Sequence, residues 1–174
     1  MSEKTIQKDT VYEGKVINVE RHDVIVENGN SGVREIVKHP GAVAILPIIG
    51  DKIYLVSQYR KAIEKKTIEI PAGKIESGED PKACADRELK EELKMGPKSL
   101  EYMTTIYPSP GFLDEVIHIY IANGLYSCTA DHDEDEVIHT VKLSLSEFKE
   151  KVIEGDIKDA KTIVSLLYYI QEHR

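Results

Sequence analysis

Neither of the two cysteines, Cys84 and Cys128, sits in a Cys-x-x-Cys pair. Two thiols in a chain of this length make no disulfide framework, and their placement argues against a zinc site. Long apolar runs are missing as well: none approaches the ~18 residues needed to span a bilayer. The polar opening from Met1 to Thr10 has no apolar signal core. Positive charge is in deficit, with 23 Lys and Arg against 31 Asp and Glu and a formal net charge of −8. That balance argues against nucleic acid or an anionic membrane as partner. The six histidines show no ligand spacing and no nearby nucleophile. Internal repeats, low-complexity segments and interdomain linkers are absent too. What remains is a reduced, cytoplasmic protein whose 174 residues suit one core and are short for two. A polyanionic substrate would need local compensation from Arg, Lys or metal ions.

A hydrophobic fraction of 41% with 31% charged residues describes a folded chain with a charged surface. Residues 11–40 read as strands, with His22–Glu27 and Val33–His39 flanking the turn Asn28-Gly29-Asn30-Ser31-Gly32. The run Gly41–Pro47 suits a buried strand. Ile53–Tyr59, Thr67–Ile70, Leu100–Tyr107, Glu115–Ala122 and Val137–Leu143 read as further strands. Asp80-Pro81 predicts a helix start, with Ala85, Leu89 and Leu93 as a buried stripe, an end at about Lys94 and Gly96-Pro97 as the stop. Ser144 and Glu147 fit a capping box for a second helix ending near Gly155. A third, near Asp159–Glu172, sets Ile163, Leu166, Leu167 and Ile170 on one side. The expected class is α+β: a mixed sheet between helices, an α/β/α sandwich. Residues 1–40 form an N-terminal β arm and 41–174 the main domain.

The richest stretch is Gly73–Met95. On a helix, Glu88 and Glu92 stand four residues apart and Glu91 three from Glu88, so three carboxylates crowd one patch. Their mutual repulsion mildly destabilises the helix, and a hard divalent cation reverses the sign. Arg87 is placed to brace Glu91. From the helix alone, a solvated charged face is the more ordinary explanation. The preceding loop changes that. Gly73, five residues, Glu79, seven residues, then Arg87-Glu88-Leu89-Lys90-Glu91-Glu92 resembles the signature of the Nudix hydrolases. One position departs from it: Lys94 stands where the signature has its late Gly, and Gly96 comes two residues later.

The resemblance implies a Nudix-type sandwich and hydrolysis of a diphosphate joined to another group, with Mg²⁺ or Mn²⁺ as cofactor. It implies Glu88 and Glu92 as principal metal ligands, Glu91 as a ligand or water-positioning group, and the carbonyl of Ala72 as a further ligand. Segments outside the signature resemble one subgroup, the ADP-ribose pyrophosphatases: Tyr12-Glu13-Gly14-Lys15, Arg34-Glu35-Ile36-Val37, Gln58-Tyr59-Arg60, Glu69-Ile70-Pro71-Ala72-Gly73 and Ser109-Pro110-Gly111-Phe112. By that likeness Arg60 and Arg34 are candidate contacts to phosphate or ribose, since a guanidinium fork binds two oxygens. Tyr12 is a candidate for stacking on adenine and Glu69 for bonding adenine or ribose. Pro110, Gly111 and Phe112 complete the substrate-side set. Each has an ordinary alternative as a surface ion pair or packing residue. The acidic run 131–136 is either a solvated turn or, as in the subgroup, the source of a catalytic carboxylate, with Glu136 preferred over Glu134. The subgroup also implies a homodimer through the arm. The rivals are pyrophosphatases for ADP-glucose, GDP-mannose or dinucleotides, and a non-catalytic nucleotide-sugar-binding module, which the retained carboxylates disfavour.

Overall fold

The computed structural model describes residues 3–130 and 137–173, in two compact units. The first comprises the chain up to Gly41 together with Tyr107–Val116. Its core is an antiparallel sheet of β1 (Lys4–Glu13), β2 (Asn18–Ile25) and β3 (Ser31–Lys38), in that order. The β2–β3 turn falls on the Asn-Gly cluster as expected, and Gly29 adopts the left-handed φ of 86° that such a turn requires. β1 begins well before the strands anticipated from residue 11 onward. Its residues are exposed throughout, so no apolar alternation announced it. Residues 107–116 lie alongside β3, where Val37 N–H donates to the Phe112 carbonyl at 2.7 Å. Asp114 N–H donates back to the Val37 carbonyl at 3.1 Å.

The second unit holds Ala42–Ile106 and Ile117–Arg174. Its strands are β4 (Ala42–Ile49), β5 (Lys52–Arg60), β6 (Lys65–Glu69), β7 (Ala72–Lys74), β8 (Met95–Gly96), β9 (Ser99–Ile106), β10 (Ile117–Asn123), β11 (Tyr126–Ser127) and β12 (His139–Ser144). Its helices are α1 (Pro81–Leu93), α2 (Leu145–Ile153) and α3 (Ala160–Glu172). The main sheet runs β12-β5-β4-β10-β9, parallel only between β4 and β10 and otherwise antiparallel, hence mixed. β8 and β11 form a separate small ribbon.

Alternation along β4 builds both sides of the sheet. Ala42, Ala44 and Leu46 join Ile117 and Ile119 in a core closed by Phe148 of α2 and Leu166 of α3. Val43 and Ile45 join Tyr120 on the opposite face, closed by Ala85, Leu89 and Leu93 of α1. This is the anticipated α/β/α sandwich. Leu167 departs from the expected stripe: it is 58% exposed, whereas Leu166 is buried and Ile163 and Ile170 pack at the core's edge. The buried side of α3 is centred on Thr162, Ser165 and Leu166, which leaves Leu167 on the outward side of the stripe.

One irregularity positions the site. β4 and β5 stay paired only near their shared turn, at Ile48↔Ile53 and Ile49↔Lys52. Beyond it β5 takes β6 as neighbour and β4 takes β7. The opening between them admits Pro71 and Ala72, and Ile45 N–H donates to the Pro71 carbonyl at 2.8 Å.

Candidate active site

α1 starts where Asp80 caps it, its carboxylate accepting from the N–H groups of Lys82 and Ala83, both at 3.0 Å, with Pro81 at the first helical position. It ends at Leu93 with Lys94 as its C-cap, where the sequence places its end. Lys94 itself takes the left-handed conformation, φ 56°, at the place where the signature has Gly. Lys94 thus takes a conformation that favours glycine although it carries a Cβ. The Lys94 side chain donates to the carbonyl of Ala130, at the edge of the described residues.

Arg87 organises the acidic face. Its Nε and Nη2 reach the two oxygens of Glu79 at 2.9 and 3.0 Å. Its Nη1 reaches Glu88 Oε1 at 2.7 Å and Glu91 Oε2 at 2.9 Å. The bracing of Glu91 follows the sequence spacing, while Glu79 and Glu88 come in addition. The Arg87 bonds draw the Glu79 carboxyl down to about 2, and the same carboxylates hold the guanidinium firmly charged. Beneath the helix, burial pushes the Cys84 thiol up to about 12, so it is an inert core group.

Gly73 is where loop and helix meet. A Cβ built on it would stand 1.8 Å from Cδ of Glu88 and 2.0 and 2.2 Å from its oxygens. The Glu88 carboxylate thus lies directly on the backbone of β7, and any side chain at position 73 would occupy its place. One residue earlier, Ala72 N–H donates to Glu92 Oε2 at 3.2 Å, and Glu92 is buried to 7% exposure. Glu88, Glu92 and the Ala72 peptide are therefore brought together, with Glu91 more exposed at the rim.

The side chains gathered here are carboxylates, whose oxygens are the kind of donor a hard divalent cation takes. The vacant side of Gly73 is the feature that lets the Glu88 carboxylate lie against the backbone of β7. Among the described residues, no three such side chains converge on a single point, and Glu88 and Glu91 are turned onto Arg87.

Arg60 stands at the end of β5, and Glu69 at the end of β6. Arg60 forks onto Glu69 through Nε at 2.9 Å and Nη2 at 2.7 Å. Glu69 is only 2% exposed. Burial opposes its ionisation, but Arg60, Lys161 and Thr67 outweigh that and hold its carboxyl near 2. Lys161 was not anticipated: an Asp159-Ala160-Lys161 helix start looks like any solvated first turn, and only the fold carries it to Glu69. The remaining candidates belong to the first unit. Tyr12 and Phe112 are each 56% exposed, Arg34 pairs with Glu3, and Pro110 and Gly111 lie in a turn closed by Phe112 N–H to the Ser109 carbonyl at 3.2 Å. Glu134 and Glu136 lie outside the described residues.

The NUDIX domain model matches residues 38–165. A methanol dehydrogenase activator from Bacillus methanolicus is 44% identical over 169 residues, covering 95% of this chain and 91% of that protein. An ADP-ribose pyrophosphatase from Bacillus subtilis (strain 168) is 42% identical over 171 residues, covering 97% and 92%. A crystal structure of an ADP compounds hydrolase superposes with a TM-score of 0.89 at 25% identity, covering 98% of this chain and 94% of that one. Matched along nearly its whole length, with the signature folded as a unit around Gly73 and Arg87, this chain belongs to the Nudix family of hydrolases.

Proposed function

We propose that this chain hydrolyses ADP-ribose to AMP and ribose 5-phosphate, with Mg²⁺ as the working ion and Mn²⁺ able to replace it. The observation that carries the chemistry is the seating of the Glu88 carboxylate on Gly73 beside Glu92 and Ala72. The substrate is taken from the 42% identical relative named an ADP-ribose pyrophosphatase.

In this reading Glu88, Glu92 and the Ala72 carbonyl hold the cation, with Glu91 ligating it or orienting water. A divalent cation there neutralises phosphate charge and lowers the pKa of a bound water. Arg87 keeps Glu79, Glu88 and Glu91 in register. Water forms a bond to one phosphorus as the bridging oxygen leaves with the other, and its proton passes to a carboxylate. Glu136 is assigned that proton, with Glu134 second. A positioned base contributes ~10²–10⁴-fold, so Glu136→Gln should lose activity in that range; an unchanged kcat would move the role to Glu134 or Glu91. Arg60 binds substrate phosphate or ribose. Arg34, Tyr12, Pro110, Gly111 and Phe112 are assigned substrate contacts by resemblance alone. Residues 1–40 are assigned to a homodimer contact, which sedimentation velocity tests, and the protein to the cytoplasm.

The deciding experiment is a panel of ADP-ribose, ADP-glucose, GDP-mannose and dinucleotides with Mg²⁺, the products resolved by chromatography. A higher kcat/KM for another member overturns the substrate and leaves the reaction class. Absence of any metal-dependent AMP or GMP release overturns the class and favours a binding module. A second reading comes from the 44% identical relative, named an activator of methanol dehydrogenase. It predicts faster methanol dehydrogenase turnover when this protein is added.

A further inference from the structure

The two oxygens of Glu69 accept four hydrogen bonds, which fills a carboxylate's capacity. Oε1 takes Arg60 Nε at 2.9 Å and Thr67 Oγ1 at 2.6 Å. Oε2 takes Arg60 Nη2 at 2.7 Å and Lys161 Nζ at 2.5 Å. With 2% of its surface exposed, Glu69 has neither the access nor the lone pairs to bind adenine or ribose. Lys161, 9% exposed, is buried too. It also donates to Asp159 Oδ1 at 2.9 Å.

The same turn of α3 grips the neighbouring backbone. Ile70 N–H donates to Thr162 Oγ1 at 2.9 Å, and that hydroxyl donates onward to Asp159 Oδ2 at 2.6 Å. The start of α3 is thereby tied by side chain to Glu69 and by backbone to Ile70, two residues before the Ala72 peptide. Arg60 spends Nε and Nη2 on Glu69, so the plane of the Glu69 carboxylate sets the plane of the guanidinium. The Arg60 side chain is nonetheless 41% exposed, so the guanidinium is held and still reachable from solvent. The charge of Glu92, on the signature helix, acts on that guanidinium.

We propose that Glu69 and Lys161 are positioning residues: together they lock the Arg60 guanidinium in the orientation that receives the substrate's phosphate or ribose oxygens, and neither touches substrate. The proposal rests on the hydrolase reading and on Arg60 as its substrate contact. Four fixed donors immobilise the carboxylate, and an immobile carboxylate leaves Arg60 one orientation. A preorganised Arg loses little rotamer freedom when substrate arrives, so the gain falls on binding. The bulk of the chemical step is carried elsewhere, on α1.

The test is a double-mutant cycle on the purified enzyme, read as KM and kcat on its best nucleoside diphosphate substrate, with thermal unfolding run on every variant. Glu69→Gln replaces one acceptor oxygen by a donor and breaks the fork. We expect KM to rise roughly tenfold with kcat within roughly threefold, as for loss of a charge-assisted contact made equally in ground and transition states. Lys161→Met, which keeps the buried stem, and the milder Thr67→Val should move KM in the same direction. In an Arg60→Ala background, Glu69→Gln and Lys161→Met should change KM by less than about twofold, because nothing is left to position. A merely structural role predicts the same factor in both backgrounds, and that additivity overturns the proposal. So does an Arg60→Ala enzyme with parental KM, which leaves the hydrolase reading standing. Inactivity of the parent on every nucleoside diphosphate derivative overturns both.

Discussion

A methyl group at position 73 separates folding from catalysis. In Gly73→Ala the new Cβ would start 1.8 Å from Glu88 Cδ. Ordinary carbon contacts are ~3.5–4 Å, so roughly 2 Å of separation must be found. The backbone of β7 is paired to β4 through Val43↔Gly73 and holds its place. Glu88 gives way instead, because its carboxylate is the end of a flexible side chain. Gly73 carries no left-handed φ, so Ala meets no backbone strain. Replacing a strand Gly then stabilises by roughly 0.5–1 kcal/mol through the unfolded chain. Against that stand the displaced Glu88, 13% exposed, and its 2.7 Å bond to Arg87, a charge-assisted bond of roughly 1.5–3 kcal/mol. The difference is small beside a domain's stability, and the variant should stay folded with its unfolding midpoint lowered by a few degrees. Activity should not. Misplacing a catalytic group by ~1 Å costs on the order of 10²-fold, and here a proposed metal ligand moves further. We expect kcat/KM to fall at least ~10²-fold, with the Mg²⁺ concentration for half-activation raised. The measurements are steady-state kinetics across a Mg²⁺ titration and calorimetric unfolding of the same preparation. A Gly73→Ala enzyme with parental kcat at parental Mg²⁺ would refute the argument, because Glu88 could then be displaced without consequence. A variant that loses activity only because it unfolds would refute the claim that loop and fold separate here.

Glu92→Gln keeps the acceptor for Ala72 N–H, at 3.2 Å in the parent, but removes a charge; kcat should fall by orders of magnitude with the fold retained, and near-parental turnover at saturating Mg²⁺ would remove Glu92 from the ligand set. Lys94→Gly relieves a left-handed residue at φ 56°, worth roughly 1–2 kcal/mol, against one lost bond to Ala130 of about 1 kcal/mol. Its unfolding midpoint should equal or exceed the parent's, and a clear drop would show the tether outweighing the strain. For pH, the Glu69 carboxyl is lowered from 4.5 to about 2, so its contribution is fully present above pH ~4.5 and is lost as pH falls from there towards ~2, amounting to about 3 kcal/mol. Acid titration of stability should be correspondingly flatter in Glu69→Gln, and an identical acid limb would refute the assignment.

Periodic and capping signals made the main architecture legible in the sequence. Asp80-Pro81 opened α1, the Ser144–Glu147 box opened α2, and the Asn-Gly cluster turned β2 into β3, because each is chemistry local to a few residues. What stayed hidden depended on distant neighbours. β1 shows no apolar face because none of its residues is buried. Residues 107–116 join the first unit, although nothing in Ser109-Pro110-Gly111-Phe112 says which strand they will lie beside. Leu167 looked like core because a helical stripe read from sequence has no width limit, whereas the layer it packs on does.

The site shows the same division more sharply. A fixed spacing is informative when one residue must reach another through a rigid element, and α1 is that element. Glu79 lies before the helix and Arg87 two turns beyond its start, yet the guanidinium meets both Glu79 oxygens within 3.0 Å. Seven intervening residues are what it takes to leave the loop, cap on Asp80 and return one face of the helix to the loop. Glu88, Glu91 and Glu92 then occupy the positions whose neighbours are Gly73, Arg87 and Ala72 respectively. The spacing is thus a record of distances, and it was readable as such. Arg60, Glu69 and Lys161 are held by no such element. Arg60 and Glu69 meet across two strands whose pairing places Val56 opposite Glu69 and Arg60 opposite Lys65, and Lys161 arrives from a helix 92 residues further on. Only a register and a packing direction join them, and neither is written in the order of the residues. A Lys161 identified by burial and geometry is therefore the kind of residue that spacing overlooks, even where it governs how a well-marked arginine works.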